Sequence, residues 1–222
     1  MAVTTVVGPG TATPAVDQPF DRLPAMVARS VVDRIRLYDT PDAGLPLRHL
    51  EHPNRAGLPV VFLAVRPPDD GWLQVQVPLR PNGSVAWIRL ADVRLTQTRY
   101  RIEVVVESRK LRLWWEGQVV LDVPVAVGRP RTPTPPGDFY VASSIRRPAP
   151  DPLYGLYALG LSGFSEVLTT FNGGEGQLGI HGTGRPDLIG RGVTAGCIRL
   201  HDGDVHELAR RVPLGTPVRI RP

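Results

Sequence analysis

The stretch TAGCIRL, Thr194 to Leu200, carries the single cysteine of a 222-residue chain. A glycine stands directly before the thiol and an arginine two places after it. One cysteine excludes an intrachain disulfide framework. The thiol is therefore a buried inert core group, the usual fate of a free cysteine, or a reactive one. Nucleophilic cysteine chemistry needs a thiolate, a proton acceptor and a site for the developing oxyanion. A free thiol with a pKa of ~8.5 is mostly protonated at neutral pH, so its neighbours decide. In sequence these are His181, Arg199 and His201.

His181 lies in GIHGT, at the end of an apolar run that reads as a strand, where the chain opens onto glycines. Gly182, Gly184, Gly190, Gly192 and Gly196 separate it from Cys197. A loop so rich in glycine can fold back and bring imidazole and thiol together. Gly196 also removes a side chain beside the sulfur, which would let the backbone N–H groups of Gly196 and Cys197 face an oxyanion. Arg199 shares the sulfur's side of an extended strand, because side chains repeat every two residues. It could stabilise the thiolate or grip a substrate carboxylate. The alternative is a surface arginine beside a core formed by Cys197 and Ile198.

Working outward, Gly 23 and Pro 24 make about a fifth of the chain, which argues for many turns and short strands. The apolar share of 42% and charged share of 21% fit a folded chain, and no run approaches the ~18 apolar residues of a membrane span. The net charge of +5 suits nucleic acid or an anionic polymer such as a cell wall. The arginines are scattered, however, and no recognition helix or basic-aromatic motif accompanies them, which counts against nucleic acid. The five histidines and one cysteine show no metal-ligand spacing. The N-terminal AVTTVVGPGTATPAVDQPF lacks the basic start and apolar core of an export signal. It reads as a disordered linker over residues 1–27, in a cytoplasmic protein or in one whose export signal has been removed.

Short strands are expected from Val31 onward: RIRLYDTP, PVVFLAVRP, GWLQVQVPL and SVAWIRLADV, punctuated by Pro-Asp and Pro-Asn-Gly turns. Residues 28–97 are expected to form a small barrel, and GWLQVQV followed by VAWIRLADV resembles a bacterial SH3 domain. Trp72 and Trp87 would then be core or rim. Thr96-Gln97-Thr98 reads as a polar break. After it RIEVVVES, KLRLWWE and VVLDVPVAVG form a three-strand meander. A rigid proline loop, VGRPRTPTPPG, leads into the strand DFYVAS. YGLYALGLSGF and QLGIHGT are further strands. DVHELARRV, capped by Asp202 or Asp204, is the one helix, and TPVRI closes the chain. The fold class expected is mainly β: an SH3-like barrel, then a β-rich domain over 99–222 with one short C-terminal helix.

The spaced pattern GIHGT, then T-x-G-C-I-R-L, is similar to the signature of the L,D-transpeptidases of the YkuD type. VGRPRTPTPPGDFYV, LGLSGFSEV with FNGG, and DVHELARRVPLGTPVRI resemble the family's flanking segments in the same order. The resemblance covers residues 99–221. It implies Cys197 as nucleophile, His181 as base and Gly182 as the carbonyl that orients the imidazole. It further implies an oxyanion hole at Gly196 and Cys197, and roles for Arg199, Thr194 and Tyr154 in holding substrate. Tyr154 and Phe164 could equally pack in the core. His201 and His206 match no catalytic position and are expected to face solvent. One departure stands out: the family's second histidine, before Gly-Cys, is Ala195 here.

The resemblance also implies the reaction. The thiolate would attack the third residue of a peptidoglycan stem tetrapeptide, D-Ala would leave, and an amine of another stem would take the acyl group to give a 3→3 cross-link. Water as acceptor would make the protein an L,D-carboxypeptidase. No metal or cofactor is implied, carbapenems would acylate the same thiol, and the work would lie outside the membrane, in the cell envelope. Papain-like wall peptidases place cysteine before histidine, and sortases place the arginine much further on; neither order is seen. The rival of another class is a non-catalytic wall-binding protein in which Ala195 marks a decayed site.

Overall fold

The alternation in KLRLWW sends Leu111 and Leu113 into the core and leaves Lys110 and Trp115 exposed, as a half-buried strand requires. The same logic repeats along the chain. The computed structural model describes residues 24–222. The strands are β1 (Ala25–Ser30), β2 (Arg34–Leu37), β3 (Arg48–Glu51), β4 (Val61–Ala64), β5 (Trp72–Gln76), β6 (Val85–Arg89), β7 (Val93–Thr98), β8 (Tyr100–Val105), β9 (Lys110–Trp115), β10 (Gln118–Pro124), β11 (Val127–Gly128), β12 (Gly137–Asp151), β13 (Gly155–Phe164), β14 (Gln177–His181), β15 (Gly192–Thr194) and β16 (Ile198–Arg199). The helix α1 (Asp202–Arg211) and the strand β17 (Pro217–Arg221) follow. The molecule is mainly β, with a single α-helix among the described residues. No helix among them is long and apolar enough to cross a membrane.

The N-terminal unit is a five-stranded antiparallel sheet in the order β6-β5-β4-β1-β7, beside the hairpin β2-β3. The hairpin meets the sheet at a bridge between Tyr38 and Trp87. Ile35, Phe62, Leu73, Val75 and Ile88 fill its core. Trp72 and Trp87 sit half-buried at the rim, Trp72 edge-on to Tyr38 at 5.1 Å.

Three expectations are corrected. The disordered linker expected over 1–27 lies outside the described residues up to residue 23, but β1 already begins at Ala25. RHLE, not read as a strand, is β3. Thr96-Gln97-Thr98 is no break: it is the end of β7, paired to β1 through Ala25↔Thr98 and Val27↔Thr96. These residues are polar because β7 is an edge strand, held by its ladder to β1 rather than by apolar side chains. Arg99 alone separates β7 from β8.

The C-terminal unit is built on an eight-stranded sheet, β10-β9-β8-β17-β12-β13-β14-β16. The meander β8-β9-β10 forms as expected, and β17 enters parallel to β8 with Val218↔Ile102 and Ile220↔Val104. Phe139 and Val141 of β12 and Leu159 and Leu161 of β13 carry the core toward β14. Val205 and Leu208 of α1 close it. The expected side-chain cap does not form: the N-cap is His201 with no side-chain cap bond, and Asp202 is used elsewhere.

The units are joined through buried groups. Tyr140 on β12 is fully buried among Ala25, Val27, Val61 and Leu63, and its hydroxyl donates to the Val61 carbonyl at 3.0 Å. Burial drives the Tyr140 phenol far above its ordinary pKa, so it remains a donor. Gln76 Nε2 donates to the Asp138 carbonyl at 2.7 Å. At the turn before β6, Arg80 donates to the carbonyls of Ser165 (2.8 Å), Leu168 (3.1 Å) and Glu175 (2.8 Å). Asn82 pairs with both backbone groups of Phe164 at 2.8 Å. Replacing Tyr140 with Phe keeps the packing and removes the buried hydroxyl. It should lower stability by about 1–3 kcal/mol, seen as a lower urea midpoint with an unchanged slope.

Candidate active site

The thiol sits where two short strands meet. Cys197 lies between β15 and β16 and is half-buried. Ile198, fully buried, anchors β16. β16 runs parallel to β14 with Ile180↔Ile198 and His181↔Arg199. On its other side Arg199 exchanges backbone hydrogen bonds with Ala126, both at 2.9 Å. This ladder puts Cys197 level with Gly179, two residues behind the imidazole-bearing end of β14, and the Gly179 N–H favours its thiolate.

Gly196 takes φ +119°, a conformation that side chains rarely adopt. Both its peptide groups are engaged. Its carbonyl accepts from Thr134 Oγ1 at 2.8 Å, and its N–H donates to Thr194 Oγ1 at 3.1 Å. The Thr194 hydroxyl in turn donates to the Cys197 carbonyl at 2.6 Å. Thr132 Oγ1 donates to the Thr194 carbonyl at 3.0 Å. All three threonines are buried. Two expected roles therefore change. Thr194 does not face substrate; it pins the turn. The Gly196 amide, named from the sequence for an oxyanion, is already held by Thr194.

His181 ends β14, is 3% exposed, and has its Nδ1 2.7 Å from the Gly182 carbonyl oxygen. A carbonyl only accepts, so Nδ1 carries the proton and Nε2 keeps its lone pair. That is the tautomer a general base needs. The Gly182 turn is itself supported. Asp202 Oδ1 accepts the Thr183 N–H at 3.0 Å and fills the notch between Gly155 and Gly182, where a Cβ on either glycine would strike it.

Burial sets the electrostatics. It pushes the His181 pKa down to about 4. The Gly182 bond and Asp151 work against that shift, and the guanidinium charges of Arg199 and Arg147 work with it. Burial also raises the Cys197 thiol, against the Gly179 N–H and Arg199. At neutral pH the resting pair is then a neutral thiol beside a neutral imidazole.

Cys197 and His181 line one cavity of about 300 Å³. Tyr154 lines it too, its ring edge-on to His181 at 4.9 Å, and Asn172 Nδ2 donates to its hydroxyl at 3.2 Å. Phe164 serves both as wall and as core: it is 5% exposed, with the Arg80 guanidinium 5.0 Å above its ring. His181 is the one imidazole in this lining. Arg199 is half-buried, with an Nε that finds no partner. His201 and His206 are exposed, His206 stacked on Tyr157 at 4.9 Å. Among the described residues no three His, Cys, Asp or Glu side chains converge as a metal site.

Four contributors were not read from the sequence. Arg147 reaches the cavity from β12, its guanidinium 4.9 Å over the Tyr154 ring and 3.8 Å from Asp151, with its buried Nε unpartnered. Nothing in SSIRRPAP marks it, because its place depends on the far end of the 15-residue β12, where the register against β13 shifts. Thr132 and Thr134 were visible only as part of a proline-rich loop. Asp202 was read as a helix cap.

Two outcomes follow from this geometry. Because the thiol is raised, iodoacetamide labelling of Cys197 should keep accelerating past pH 9 rather than level off near neutrality; mass spectrometry across a pH series measures it. Asp202→Ala should slow acylation of Cys197 by an activated ester about ten- to a hundredfold through loss of imidazole placement. Asp202→Asn, which keeps Oδ1, should recover most of the rate.

The family model of the YkuD L,D-transpeptidase catalytic domain matches residues 99–220. The chain is 42% identical over 123 residues to the YkuD protein of Bacillus licheniformis, covering 55% of this chain and 66% of that one. It is 40% identical over 121 residues to YkuD of Bacillus subtilis, covering 54% and 65%. The match thus spans just under two thirds of the length of these curated relatives. Among solved structures, L,D-transpeptidase 3 from Mycobacterium tuberculosis in complex with a faropenem-derived adduct aligns with a TM-score of 0.50. It is 17% identical and covers 73% of this chain and 91% of that one, a likeness of fold. With the HGT and GCIRL segments in place around one cavity, the chain belongs to the YkuD L,D-transpeptidase catalytic-domain family.

Proposed function

We propose that the protein is a peptidoglycan L,D-transpeptidase that forms 3→3 cross-links through a Cys197 thioester. The observation that carries the reading is the pairing of Cys197 with the Nδ1-protonated His181 in one cavity. In the proposed cycle the donor is a stem tetrapeptide. Its third-residue carbonyl carbon is attacked by the Cys197 sulfur as the thiol proton moves to His181 Nε2. The Cys197 N–H stabilises the oxyanion. The C–N bond to D-Ala then breaks, and His181 returns the proton to the leaving amine. The side-chain amine of a second stem attacks the thioester, gives its proton to His181, and expels the sulfur, which recovers that proton. Arg199 and Arg147 supply positive charge for the stem's carboxylates. Neither sets up the imidazolium beforehand, since both disfavour it.

Such a substrate places the protein in the cell envelope, and the net charge of +5 suits an anionic wall. The N-terminal unit, which resembles an SH3 domain in its GWLQVQV and VAWIRLADV strands, would serve as a wall-facing module. Ala195 leaves His181 as the sole base, and one base suffices for the cycle above.

Intact mass after incubation with a carbapenem tests the site. A single covalent adduct is expected on the wild type and none on Cys197→Ala. A wild type that stays unmodified would favour a non-catalytic wall-binding protein, and Ala195→His would then be the variant to examine. With the adduct in hand, tetrapeptide plus a diamino acceptor should yield cross-linked dimer. Tripeptide alone would instead mark an L,D-carboxypeptidase.

A further inference from the structure

The cavity lined by Cys197 has a neighbour. A second, larger cavity of about 610 Å³ lies between the units. Its walls come from the segment after β3, including Arg55, Ala56 and Leu58, and from Ala142 and its neighbours on β12. The two cavities share Ser143, Ile145, Phe164, Glu175 and Gln177, so they lie side by side along a common wall. A volume of this size lies within the range of ~300–1,000 Å³ in which proteins hold small ligands.

The groove is a fixed part of the fold. The shared wall includes Phe164 and the loop that follows it, and this loop is held from the N-terminal unit. Three carbonyls of the loop, on Ser165, Leu168 and Glu175, accept from Arg80, while Asn82 fastens the Phe164 backbone. An arginine spent wholly on backbone carbonyls and one aromatic ring is there to set loop position. The N-terminal unit therefore shapes the cleft at two points: it clamps one wall and forms another.

The lining defines what would fit. Leu58, Val60 and Ala142 give an aliphatic floor, while Arg55, Glu51 and Glu175 place both signs of charge at the edge. Its one benzene ring, Phe164, is 5% exposed and has the Arg80 guanidinium 5.0 Å over its face, so it offers no free ring on which a sugar face would stack. Cys197 and His181 do not line it either, so its occupant is a non-reacting length of substrate.

We propose that this groove is a second subsite of the cleft, built jointly by the two units, for a short peptide with small aliphatic side chains and both carboxylate and ammonium groups. The proposal rests on the transpeptidase reading, in which two such peptides visit one thiol. Donor and acceptor share this chemistry, and the test separates them. Remote contacts of this kind supply binding energy that the reacting centre uses.

The test is calorimetric titration of full-length Cys197→Ala with a stem tetrapeptide and, separately, with the diamino tripeptide acceptor. Each titration is repeated with Ala56→Trp or Arg55→Glu added; both positions are exposed and lie in the N-terminal unit. With Tm unchanged, at least one peptide should lose affinity about tenfold or more. Loss confined to the tetrapeptide assigns the groove to the donor; loss confined to the tripeptide assigns it to the acceptor. Unchanged affinity for both, or no binding of either by Cys197→Ala, would overturn the subsite. Carbapenem acylation of the wild-type thiol is read separately, so a failed subsite and a failed transpeptidase reading give different results.

Discussion

Three threonine hydroxyls close around one glycine, and the site depends on them. Thr134 holds the Gly196 carbonyl, Thr194 holds the Gly196 amide and the Cys197 carbonyl, and Thr132 holds Thr194. These bonds are buried, where a hydrogen bond is stronger and an unmade one costs more than in water. They keep Gly196 at a left-handed φ and thereby aim the next residue at β14. The proline-rich loop before β12 has its purpose here. Its rigid backbone presents Thr132 and Thr134 to the turn from the opposite side, and Gly128 gives them room because any Cβ there would collide with that backbone.

The second constraint is the parallel ladder between β14 and β16. A loop of many glycines brings His181 and Cys197 together, but the ladder fixes their offset, because Ile180 and Ile198 are both buried and a one-residue slip would expose them. Imidazole and sulfur are thus positioned by core packing. Asp202 then sets the carbonyl that fixes the tautomer, so a residue on the helix acts on the base through one turn of backbone.

Much of this was legible in the sequence. The alternation in RIEVVVES and KLRLWWE, the helix DVHELARRV, and the spacing of His181 and Cys197 are local patterns, and they reappear as β8, β9, α1 and two side chains that line one cavity. What was hidden depends on pairing across the chain. Thr96-Gln97-Thr98 becomes strand only because β1 lies beside it, and Arg147 meets Tyr154 only because the 15-residue β12 runs on beside β13 past a register shift. Thr194 was misjudged for a related reason: a small hydroxyl beside a nucleophile looks the same in sequence whether it faces a ligand or the backbone behind it.

Keeping the sulfur protonated has a bearing on its survival. Peroxides and disulfides react with thiolates, and a cysteine that is partly enclosed and mostly in its thiol form is slow to become a sulfenic acid. With no second cysteine in the chain, such an acid would have no partner within the molecule to reduce it. The raised thiol pKa therefore protects the one thiol in the chain.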